Sequence, residues 1–126
     1  MIKIGLSMSA IEKIYANDIG ISFFWKNQTN QSFDNRKVQV IFRDTGFLLN
    51  LDELKIFSKH CTQALATNNC AHCQHHKNCR NLLLRTPSDK IDLAVSSVEL
   101  EQIKSLLNET IFKVELKQWI ESICLN

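Results

Sequence analysis

The chain has 126 residues, enough for one domain with a real core and too few for several. With 44% hydrophobic and 22% charged residues, three glycines and one proline, it is not a disordered, collagen-like or mucin-like polypeptide. Its net charge of +2 does not in itself call for a polyanionic partner, and no apolar run approaches the roughly 18 residues that span a bilayer, so a cytoplasmic protein without membrane contact is expected.

The opening MIKIGLSMSAIEK interleaves its apolar positions with Lys3, Gly5, Ser7 and Ser9, unlike the continuous apolar stretch of a signal peptide. Ile2, Ile4, Leu6 and Met8 would share one side of a strand, whereas Ser9 and Glu12 have the spacing of a capping box for a short helix ending near Ala16; both readings stay open. Asn17 to Gly20 reads as a turn, and Ile19, Ile21, Phe23 and Trp25 then alternate with Gly20, Ser22, Phe24 and Lys26 as in a half-buried strand. After the polar loop NQTNQSFDNR, Val38, Val40 and Phe42 alternate with Gln39 and Arg43, and Asp44-Thr45-Gly46 turns the chain into Phe47–Leu49, a hairpin. A hairpin turn also accounts for this aspartic-protease-like tripeptide, since such a site needs two carboxylates sharing a proton.

Asn50 and Glu53 form a capping-box-like pair, and Leu54, Phe57, Cys61 and Leu65 recur at helical spacing through about Ala66. Downstream, LLLRT and KIDLAV read as two strands joined by Pro87 to Asp89, and Ser96 with Glu99 opens a second helix bearing Leu100, Ile103, Leu106 and Leu107. Phe112, Val114 and Leu116 alternate like a further strand, and Trp119, Ile120 and Ile123 suggest a closing helix.

A shift of 46 residues places Leu49 on Val95, Asn50 on Ser96, Glu53 on Glu99, Leu54 on Leu100, Phe57 on Ile103 and Cys61 on Leu107. The expectation is a single α+β domain over 1–126, with pseudo-repeat strand-strand-helix units at about 38–66 and 82–111 and a Cys/His-rich connection at 67–81. Such units cannot bury their apolar faces alone, so their strands should pair in one antiparallel sheet with the two main helices on one face. The segments LLLRTPSDKIDLAVSSVELEQIKSLL and TGFLLNLDEL, within about residues 38–117, resemble small bacterial proteins of a Bacteroidetes-type domain of unknown function; the resemblance implies no activity, cofactor or site residue.

All four histidines and four of the five cysteines fall between His60 and Cys79. Cys70, Cys73, His76 and Cys79 follow one another at three-residue steps, C-x2-C-x2-H-x2-C, a donor set suited to tetrahedral Zn²⁺. His72, His75 or Cys61 are alternatives for the fourth donor, and an iron-sulfur cluster would need Cys61 in that place. From Leu54 to Ser88 there are five basic residues and no carboxylate, a setting that lowers thiol pKa values and speaks against Ca²⁺ or Mg²⁺. A Cys70–Cys73 redox pair and a metal-free polar loop are the competing readings, while Cys61 and Cys124 are expected as core thiols and His60 as a partly exposed helical histidine.

The function expected from these residues is a small binding or scaffold domain, without catalysis, in which zinc fixes the crossover and displays a basic loop to a protein partner. The alternatives are a zinc-knuckle-like nucleic-acid protein using Lys55, Lys59, Lys77, Arg80 and Arg85 on phosphates, or a thiol redox sensor. Trp25, Trp119 and the seven phenylalanines are expected in the core or in an interface.

Overall fold

A computed structural model describes residues 10–26, 36–67 and 79–124. The elements are β1 (Ile11–Ala16), β2 (Gly20–Trp25), β3 (Val38–Phe42), β4 (Thr45–Leu49), α1 (Leu51–Thr67), β5 (Leu82–Arg85), β6 (Asp92–Val95) and α2 (Ser97–Cys124). The strands β1-β2-β3-β4 form an antiparallel meander, and β5-β6 a separate antiparallel hairpin. This is the expected α+β class.

Each turn has a local chemical cause. Asn17 Oδ1 accepts from the backbone N–H groups of Ile19 and Gly20 at 3.1 and 3.2 Å, an Asx-type turn that reverses the chain between β1 and β2, while Asn17 Nδ2 ties it to Gln102 O at 3.0 Å. Gly20 is obligatory by close approach, since a Cβ there would lie 2.1 Å from Ile41 O. Arg43 occupies the β3–β4 turn with a φ of 57°, a left-handed conformation costly for a side-chain-bearing residue. In the hairpin β5–β6, the buried Thr86 hydroxyl donates to Ile91 O at 2.7 Å and accepts from Ser88 N–H at 3.2 Å.

Both helices start with reciprocal capping boxes. Glu53 N–H donates to Asn50 Oδ1 at 2.8 Å and Asn50 N–H to Glu53 Oε1 at 3.0 Å; Glu99 N–H donates to Ser96 Oγ at 3.1 Å and Ser96 N–H to Glu99 Oε1 at 3.0 Å. The matched positions downstream are equally buried: Leu54 with Leu100, Phe57 with Ile103, Cys61 with Leu107. These side chains, with Phe24, Val38, Val40, Phe42, Leu84 and Val95, form the core between the sheet and the helix pair. Phe42, Phe47 and Phe57 join sheet to α1 with ring centroids 5.2 to 6.1 Å apart.

Two expectations are corrected by the structure and one open reading is decided. The hairpin β5-β6 does not enter the sheet. It lies against α1, where His60 Nδ1 is 3.0 Å from Arg85 O, and is linked to the β3–β4 turn by Arg43 Nη1 donating to Ala94 O at 2.6 Å. Residues Ile11–Ala16 are a strand and not a short helix. Phe112, Val114 and Leu116 belong to α2, which is continuous for 28 residues, because no glycine or proline interrupts it. On β2 both faces are buried around Ser22–Phe24: Ser22 and Phe24 face the helices, while Phe23 lies on the other face with Trp25 edge-on at 5.1 Å.

Candidate protein-docking face on the second helix

Among the described residues no group of three or more His, Cys, Asp or Glu side chains converges to hold a metal ion. That finding overturns the zinc-fixed scaffold and the zinc-knuckle alternative. The physical reason is dispersal of the described donors. Cys61 is fully buried on the inward face of α1, His60 is occupied with Arg85 O, and Cys79 is an exposed free thiol. Cys70, Cys73 and His76, together with His72 and His75, lie outside the described residues, and with them the competing reading of Cys70 and Cys73 as a redox pair.

Cys61 is the core thiol expected, and burial pushes its pKa up to about 12 against a small opposing effect of Lys104. Cys124, expected in the core, is exposed instead at the end of α2. The basic stretch is partly neutralised: Arg80 grips Glu99 through Nε at 3.0 Å and Nη2 at 2.9 Å, and Lys55 pairs with Glu115 at 3.0 Å. Arg85 and Lys59 are exposed, and Lys77 lies outside the described residues.

The unusual surface lies elsewhere. The first part of α2 buries Leu100, Ile103, Leu106, Leu107, Thr110 and Val114 on one side. On the opposite side, Phe112, Leu116, Trp119, Ile120 and Ile123 are exposed, Phe112 by 60% and Trp119 by 62%. Their spacing of i, i+4, i+7, i+8 and i+11 confines them to about 100° of helix arc. Single exposed apolar residues are ordinary, and Leu48, Ile56, Leu83 and Ile91 are scattered over four other segments; five on one helix face form a stripe. Leu116 and Ile120 also border a 280 Å³ groove against β1, which includes Ile14 and Phe24, and the ion pair between Glu12 and Lys117 crosses it.

The apparent strand signal at Phe112, Val114 and Leu116 is the trace of this two-sided helix. Residues two apart fall on opposite sides, so Val114 enters the core while Phe112 and Leu116 look outward. The outward residues could have been found by extending the 3.6-residue period from Phe112 to Ile123 as one window. Trp119, expected in the core or in an interface, is not in the core. No helix among the described residues is long and apolar enough to cross a membrane. Comparison with family models, curated proteins and solved structures finds no match to this chain.

Proposed function

We propose that this domain is a protein-association module whose working surface is the outward stripe of α2, which takes the apolar face of another polypeptide helix. The observation that carries this reading is the line Phe112, Leu116, Trp119, Ile120, Ile123, exposed on the side of α2 opposite its core contacts. Trp and Phe supply large contact area at low entropic cost, which is why aromatic anchors dominate protein interfaces. The charges around the stripe disfavour other partners. Acids and bases are mixed there, Glu12, Glu109 and Glu115 standing among Lys13, Lys55, Lys113 and Lys117 with Glu12 paired to Lys117 and Glu115 to Lys55, whereas anionic lipid surfaces and nucleic acid both attract a uniformly cationic rim.

The test is a photo-crosslinker, p-benzoylphenylalanine, at position 119 of the full chain in the cells that produce it. Protein adducts of defined mass that vanish when Phe112→Lys is added, and that are not formed from position 121, are expected. Adducts to lipid or nucleic acid alone, or protein adducts indifferent to Phe112→Lys, would refute the reading.

A further inference from the structure

The stripe has the extent and the internal symmetry to serve as its own partner. The five side chains expose on the order of 500 Å² per chain, so two copies face to face could bury up to about 1,000 Å² from them, at the lower bound for a specific interface. Four of the five side chains are self-complementary under reversal, and the fifth, Ile120, falls beside the aliphatic stem of the partner's Glu115. When two stripes run antiparallel about a point midway between Leu116 and Trp119, Phe112 meets the partner's Ile123 and Trp119 meets the partner's Leu116. Each aromatic ring thereby falls on an aliphatic side chain. Parallel alignment in register would instead set Trp119 on Trp119 and Phe112 on Phe112, bulk against bulk, with a gap at Leu116.

Electrostatics removes the main objection. Glu115 borders the stripe, and two copies would bring these carboxylates near one another, but each is already held by Lys55 at 3.0 Å. Glu12 likewise neutralises Lys117 on the opposite flank. Glu115 and Lys117 therefore meet their counterparts already paired, while Glu109 and Lys113 lie toward the N-terminal end of the stripe and so stand apart from their counterparts in an antiparallel pair, and antiparallel helix dipoles add a small attraction.

We infer that the partner is a second copy of this chain, joined by antiparallel packing of the two α2 stripes around a two-fold axis between Leu116 and Trp119. This rests on the docking role proposed for the same face. Purified full chain, measured by light scattering and sedimentation from about 1 to 100 µM, should convert from monomer to dimer. Trp119→Lys and Leu116→Lys should each weaken association at least tenfold with unchanged circular dichroism. As a measurement independent of those variants, p-benzoylphenylalanine at position 112 should attach to the other copy within residues 119–124. Purified chain that stays monomeric throughout this range, a dimer indifferent to both substitutions, or attachment around position 112 itself would each overturn the inference. Monomeric purified chain together with Phe112-dependent adducts to a different protein in cells would sink the second-copy inference alone; absence of any such adduct would sink the docking role as well.

Discussion

At the scale of single residues, four buried or half-buried polar side chains set the chemistry of the interior. Thr110 donates to Leu106 O at 2.6 Å, so the 2.6 Å contact between its oxygen and Ser22 Oγ uses the Ser22 proton; the more distant Tyr15 O at 3.4 Å is the fallback acceptor. Because each hydroxyl keeps a second partner, Thr110→Val and Ser22→Ala should each cost about 1 kcal/mol, with the double variant costing less than both together in urea unfolding. Cys61 has no such partner to gain, and its raised pKa keeps it a neutral thiol at pH 7. A thiol reagent should label Cys79 and Cys124 at once, but Cys61 only at the rate of global unfolding; rapid labelling of Cys61 in native buffer would contradict its position. Glu99 is held below the ordinary carboxylate range. Desolvation pushes its pKa up, but the Arg80 hydrogen bonds, the Ser96 N–H and the charges of Arg80 and Arg43 outweigh that. A depressed folded-state pKa stabilises above the unfolded value and is lost as pH falls through the folded one. Stability should therefore drop in acid below about pH 4.3, and Glu99→Gln, less stable at pH 7, should flatten that part of the profile.

At the scale of elements, the helices differ in what their faces do. Their starts are chemically alike, and losing either cap, through Asn50→Ala or Ser96→Ala, should cost about 1 kcal/mol by thermal or denaturant unfolding. Ser96→Ala has the further consequence of loosening Glu99, which also anchors Arg80, so it should be the costlier of the two. The two sides of α2 are expected to respond oppositely. Leu107→Ala empties a fully buried site and should cost about 2–5 kcal/mol, whereas Trp119→Lys on the outward side should leave the stability of the monomer within about 0.5 kcal/mol. A large loss of monomer stability in Trp119→Lys would mean that the stripe packs inside its own chain. The continuity of α2 explains why this half of the helix was hard to read. A helix apolar on two sides mimics the alternation of a strand over three or four residues, and only a window longer than two turns separates the periods.

At the scale of the whole molecule, local signals were reliable where the cause is local. The Asn17 turn, both capping boxes, the β3–β4 hairpin and the inward stripes of α1 and α2 follow from backbone hydrogen bonding and helical period, which act within a few residues. The α+β class follows from the same signals. What local pattern could not specify is which edge a hairpin chooses. The hairpin β5-β6 stands apart from the sheet because Leu84 and Val95 are buried at the helix layer and Arg43 reaches Ala94, contacts between segments some fifty residues apart. A metal site likewise requires side chains to converge in space, and among the described residues none do: Cys61 is in the core, His60 meets the Arg85 carbonyl and Cys79 is exposed, while Cys70, Cys73 and His76 lie outside the described residues. Sequence by itself determined the β3–β4 hairpin, the caps of both helices and the inward stripes of α1 and the first half of α2. Tertiary structure alone decided which of two apolar helix sides meets the core, because burial depends on the area that sheet and neighbouring helix can cover, and the side left over becomes the surface available to a partner.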